Sequence, residues 1–276
     1  MWPYSYDTCD LGTFPGQQTK DGQPAASSTG GIGGTVLSSL PGQKLSACTC
    51  PGSDHPGPQV DVGRGVPEID IIEAQIDLVK MQGTASQSFQ IAPYDMGYNF
   101  DDTTPASVIY NSTSTHFNDY RGGPLQQALS ALTYYDDQYY GGQSYMTLGY
   151  EWWSDPNRRS DGYITWFYNG QKTWTVTAAA IGPNTQSQVS ARLIPEEPMV
   201  CQFVCSVTTS LPMCFFGQYV ILNLGMSTSF QGPDLKHLQF PTQMYVDYVR
   251  IYQRRGIQEG VTCNPSSRPT ADYISR

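Results

Sequence analysis

Between Gly162 and Ala178 the chain reads GYITWFYNGQKTWTVTA, with aromatic and β-branched residues on both sides of Asn169-Gly170. An Asn-Gly pair between two such runs is a strong hairpin signal, because both residues tolerate the positive φ of a tight two-residue turn. Other strand-like runs surround it: VPEIDIIEAQ from Val66, SQSFQIAPYD from Ser86, YMTLGYEWW from Tyr145, YVILNLGMS from Tyr219 and MYVDYVRIYQ over Met244–Gln253. Only PLQQALSAL, Pro124 to Leu132, reads as a short helix. The chain has 27 Gly, 20 Pro, 19 Tyr and only 14% charged residues, which suits strands joined by long loops. At 276 residues it is long enough for one large core. The expectation is an all-β protein, a β-sandwich or jelly roll in a single domain spanning 1–276.

The net charge of −9 argues against a nucleic-acid partner, since phosphate neutralisation requires Lys and Arg. Neutral sugars suit an acidic, aromatic-rich surface better. No run of 18 apolar residues marks a membrane helix, and the opening MWPYSYDTCD has no signal-peptide pattern. The cysteines nonetheless read as exported. Cys9, Cys48, Cys50 and Cys263 lie in loop-like or terminal sequence, the usual setting of disulfides, with three pairings open. Asn111 opens an Asn-Ser-Thr glycosylation pattern. Export chemistry without a targeting segment leads to the expectation that the front of the protein is missing here.

Val200 to Gln218, VCQFVCSVTTSLPMCFFGQ, interrupts what otherwise runs EEPM–YVILNLG. It holds Cys201, Cys205 and Cys214, leaving an even number of cysteines elsewhere. A valine codon begins GT and a glutamine codon can end AG, so the segment reads as a retained intron; a natural apolar loop is the alternative. Sequencing the mature transcript across Met199 and Tyr219 distinguishes them.

The chemistry concentrates in VPEIDIIEAQ. Glu68 and Asp70 share one face of a strand, and strict alternation turns Glu73 to the other. A β-bulge at Ile71-Ile72 shifts the parity and returns Glu73 to the face of Glu68. Three carboxylates in a row cannot all ionise comfortably, so at least one is expected to hold its proton to higher pH. Retaining glycoside hydrolysis uses such a set: one carboxylate attacks the anomeric carbon and a second, protonated, serves the leaving oxygen. A calcium site or a solvated edge strand is the competing reading of a bare E-x-D-x-x-E pattern.

PEIDIIEAQ resembles the active-site strand of glycoside hydrolase family 16 in its bulged form. MWPYSYDTCD, LSACTCPGSDHPGP, GYEWWSDP, RLIPEEPM, FPTQMYVDYVRIYQ and PTADYI resemble the fungal β-1,6-glucan synthesis-associated proteins, over nearly the whole chain outside 200–218 and the Gly/Ser-rich stretch near 21–35. The resemblance implies a concanavalin A-like jelly roll with a glycan cleft on its concave face, incomplete at its N-terminus. It implies a retaining β-glucan hydrolase or transglycosylase with Glu68 as nucleophile, Asp70 as assisting acid and Glu73 as general acid/base. No cofactor is expected; this sandwich class can hold a calcium ion, but no ligand cluster in the sequence demands one. The resemblance also implies the lumenal part of a type II membrane protein, in the secretory pathway or at the cell surface, whose anchor precedes this chain. A catalytically silent glucan-binding scaffold is the reading from a different class.

Other residues are weighed singly. Trp2, Tyr4 and Tyr6 are candidates to stack on a pyranose ring. Trp152 and Trp153 must face opposite ways, and Trp152 is expected in the cleft. Gln87 and Gln90 are likewise opposed, with Gln90 expected to meet sugar hydroxyls. Trp166 and Trp174 read as core or hairpin residues, Asn223 as a buried amide, and His55, His116 and His237 as surface or structural.

Overall fold

The computed structural model describes residues 67–91, 98–123, 126–140, 142–185, 190–196, 220–228, 230–258, 260 and 266. Trp2, Tyr4, Tyr6, His55, the four disulfide candidates and 200–218 lie outside them. The described part is all-β: two antiparallel sheets packed face to face. The first contains β1 (Glu68–Asp77), β2 (Gln82–Ile91), β6 (Gln126–Tyr134) and β4 (Thr115–Phe117) in that order, with β5 (Gly122–Gly123) also on β6. The second runs β3 (Ser107–Ile109), β9 (Gln171–Thr177), β8 (Tyr163–Tyr168) and β7 (Leu148–Trp153). β1 lies against β7, and β3 against β4.

Alternation explains the core. Phe89 and Ile91 of β2, Leu129 and Ala131 of β6, Ile164 and Trp166 of β8, and Trp174 and Val176 of β9 all point between the sheets and are buried. Trp166 and Trp174 stack at 4.3 Å between ring centroids and 3° between planes, as core residues. The β8–β9 hairpin turns at Asn169 (φ 47°) and Gly170 (φ 76°), as the Asn-Gly pair requires. At Gly83 on β2 the requirement is space: a Cβ there would lie 2.0 Å from Tyr140 Oη and 2.8 Å from the Tyr135 ring.

Three expectations are corrected. The segment expected to be helical is β6, which pairs with β2 on one side and with β4 and β5 on the other. Its Ala, Leu and Gln favour a helix locally, but two ladders and a face of Leu129 and Ala131 in the core outweigh propensity. The runs at 220–227 and 244–253 form no ladder among the described residues, and their apolar side chains are exposed, Tyr252 by 78%. Alternation gives a segment the means to be a strand; only a paired edge makes it one. Asn223, expected to be buried, is exposed for the same reason. His116 and His237 are also exposed.

Candidate active site

β1 is the edge of its sheet among the described residues, and its register on β2 is broken once. Asp70 pairs with Ser88 and Glu73 with Ser86, so Ile71 and Ile72 together oppose Gln87. This is the bulge expected from the sequence. Residues directly opposite one another share a face, so the register builds two parallel rows. Glu68, Asp70 and Glu73 stand on β1; Gln90, Ser88 and Ser86 face them on β2. The row lies on the side of the sheet away from the core, into which Ile69 and Phe89 point.

β2 supplies the donors that hold the acids. Ser88 Oγ donates to Asp70 Oδ2 at 2.5 Å. Gln90 Nε2 donates to the same oxygen at 2.5 Å and to Glu68 Oε1 at 3.4 Å. One amide thus bridges two carboxyl groups, which fixes their spacing. Glu73 is different. Burial, then the charges of Asp70 and Glu68, push its carboxyl up from 4.5 to about 7, against a hydrogen bond from Ser88 that opposes the shift. Glu73 therefore keeps its proton at mildly acidic pH while sitting beside two carboxylates. Tyr150 on β7 is also near this end: burial and then the Asp70 charge push its hydroxyl up.

The remaining candidates separate cleanly. Gln90 is on the acid face with its amide engaged by Asp70 and Glu68. Gln87 is fully buried on the core side, where it accepts from Thr133 Oγ1 at 3.1 Å and Thr173 Oγ1 at 2.7 Å. The expectation for Trp152 is corrected: it pairs opposite Ile164 and packs against the core. Trp153 takes the outward face, under the Arg254 guanidinium at 4.0 Å. Adjacent residues must face opposite ways, but which one faces inward depends on the neighbouring strand. Asn111 lies exposed between β3 and β4, where its Oδ1 accepts from Thr113 N at 3.0 Å.

Sequence reasoning missed Ser88 and Ser130. Ser130 of β6 pairs with Ser88, is fully buried, and its Oγ has no hydrogen-bond partner among the described residues. The signal was present: Ser86, Ser88 and Gln90 alternate on one face once Gln90 is placed there. Among the described residues no group of three or more His, Cys, Asp or Glu is arranged to hold a metal ion, and no helix is long and apolar enough to cross a membrane.

Residues 1–276 match the family model described as Beta-glucan synthesis-associated protein SKN1/KRE6/Sbg1. The chain is 40% identical over 279 residues to Beta-glucan synthesis-associated protein KRE6 of Saccharomyces cerevisiae, covering 99% of this chain and 33% of that protein. It is 39% identical over 285 residues to Beta-glucan synthesis-associated protein SKN1 of Candida albicans, covering 100% of this chain and 32% of that protein. The chain thus spans about a third of the length of the curated relatives it matches. No solved structure matches it.

Proposed function

The chain belongs to the SKN1/KRE6/Sbg1 family of beta-glucan synthesis-associated proteins, and from that premise we propose that it carries a retaining β-glucan transglycosylase or hydrolase site for fungal cell-wall β-1,6-glucan synthesis and remodelling. The observation that carries the reading is the acid row on β1, with Glu73 raised to about 7 beside Glu68 and Asp70. Retaining chemistry needs two carboxyl groups in unlike protonation states about 5–5.5 Å apart. Through the bulge, Glu68 and Glu73 are separated by four steps of the partner strand, from Gln90 to Ser86. That is about 13 Å between Cα atoms, a gap two glutamate side chains leaning together can close to reaction distance.

In the first step Glu68 attacks the anomeric carbon while Glu73 gives its proton to the leaving oxygen, and a glycosyl-enzyme ester forms. In the second, Glu73, now a carboxylate, takes the proton of an incoming hydroxyl, which attacks the same carbon and releases Glu68. A sugar hydroxyl yields transfer and water yields hydrolysis. Asp70, tied to Ser88 and Gln90, orients Glu68 through the shared Gln90 amide and adds its charge to the burial that keeps Glu73 protonated. Ser130 Oγ, buried on the same face and without a partner among the described residues, supports a polar floor to the site.

The same reading assigns the chain to the secretory pathway lumen or the cell surface, in a type II membrane protein with a glycan on exposed Asn111. The test incubates the full-length protein with β-1,3- and β-1,6-gluco-oligosaccharides and reads the products by mass, beside a Glu68→Gln variant. Shorter products indicate hydrolysis and longer ones transfer, and both are expected to vanish in the variant. A folded protein that leaves every oligosaccharide unchanged refutes the enzyme and favours a glucan-binding scaffold.

A further inference from the structure

The bulge that aligns the acids has a counterpart in the other sheet. Between β8 and β9 the register steps from Thr165–Thr175 to Phe167–Lys172, so Thr173 and Trp174 together oppose Trp166. The two irregularities face each other across the core and are joined by hydrogen bonds in both directions. Trp166, opposite the β9 bulge, sends its indole Nε1 to the carbonyl of Asp70 at the start of the β1 bulge, at 2.9 Å. Thr173, within the β9 bulge, donates to Oε1 of Gln87, opposite the β1 bulge, at 2.7 Å. Gln87 Nε2 reaches the carbonyl of Phe167, next to Trp166, at 3.5 Å. Trp166 and Gln87 are fully buried, and Trp166 is clamped by its stack on Trp174.

We propose that these two facing bulges form a polar lock, in which Trp166 and Thr173 act as positioning residues that hold the extra residue of β1 in place and so keep Glu73 in line with Glu68 and Asp70. A bulge interrupts its ladder, and the freed backbone groups need partners from elsewhere. Here the Asp70 carbonyl receives a donor from the opposite sheet, which the local sequence of β1 cannot provide. A core that needed only apolar volume would leave the indole N–H with no acceptor; the acceptor it finds lies at the residue where the parity of the acids is set. Losing the bond frees Ile71-Ile72 to relax toward strict alternation, which turns Glu73 off the acid face.

The inference rests on the acid row of the proposed site, but its test needs no glycan turnover. The Glu73 carboxyl is followed by 13C NMR titration in the full chain, assigned with Glu73→Gln. Trp166→Phe removes the donor, and replacing Trp166 by 3-benzothienylalanine removes the N–H while keeping ring size and stack. Each is also made in a chain lacking Ile72, where period-2 alternation alone keeps the third acid on the face. Loss of the N–H is expected to move the Glu73 titration from about 7 toward 4.5 in the bulged chain, and to leave it unmoved in the chain lacking Ile72. An unchanged Glu73 titration in the bulged benzothienylalanine protein overturns the lock, as does an equal fall in both backgrounds, which would make Trp166 a core residue only. Silent oligosaccharide assays beside the expected titrations would refute the enzyme and leave the lock standing.

Discussion

Replacing Glu73 by glutamine is expected to stabilise the protein at pH 8 and to leave its stability almost unchanged at pH 4. Burial and the neighbouring charges of Asp70 and Glu68 raise the Glu73 carboxyl to about 7, against 4.5 when unfolded. Between these values the unfolded chain releases the proton and the folded chain keeps it. Unfolding free energy therefore falls as pH rises from 4.5, and levels off above 7 once both states are ionised. At about 1.36 kcal/mol per tenfold change in proton affinity, the gap corresponds to roughly 3 kcal/mol at most. Glu73 is partly open to solvent, and screening reduces the expected effect to about 1–2 kcal/mol. Glutamine keeps the shape and the hydrogen-bonding capacity of the side chain but never ionises. Urea unfolding of both proteins at pH 4 and pH 8 measures the difference directly. A variant whose advantage is the same at both pH values would refute the reasoning, since Glu73 would then titrate alike folded and unfolded. Gained stability with lost oligosaccharide turnover is the signature of a group held in an uncomfortable state for its chemistry.

Three further outcomes follow from the same geometry. Gln90→Leu removes the amide shared by Asp70 and Glu68; at about 1.5–3 kcal/mol for a hydrogen bond to a charged group, kcat should drop roughly 10- to 100-fold with KM little changed. A raised KM at constant kcat in oligosaccharide kinetics would instead assign the amide to sugar binding. Gln87→Leu strands the buried Thr173 hydroxyl, and should cost about 1–3 kcal/mol in urea titrations; an unchanged midpoint contradicts it. Gly83→Ala drives a methyl into the hydroxyl of Tyr140 and the ring of Tyr135, so calorimetry should show a lower Tm and a loss of about 1–3 kcal/mol; a wild-type Tm would show that both rings yield freely.

What could be read from the sequence depended on the distance over which each feature is decided. The Asn169-Gly170 turn and the parity of Glu68, Asp70 and Glu73 are settled within a few residues, and both are found as expected. Trp152 and Trp153 show the limit of that reasoning: adjacency proves they oppose each other, but only pairing with Ile164 tells which is inward. β6 lay further out of reach, because its Ala, Leu and Gln are overruled by strands that the chain reaches only by folding. The β9 bulge was the least legible. Nothing in QKTWTVT breaks alternation, and no local rule marks Thr173-Trp174 as the place for an extra residue. Its bonds run from Trp166 to Asp70, 96 residues away, and from Thr173 to Gln87, 86 residues away. The sequence of β1 can therefore state that a bulge is needed for three acids to align, but the groups that hold it are carried by another sheet. Any substitution in β8 or β9 that keeps the core apolar and filled, yet removes the indole N–H or the threonine hydroxyl, acts on the acids without touching them.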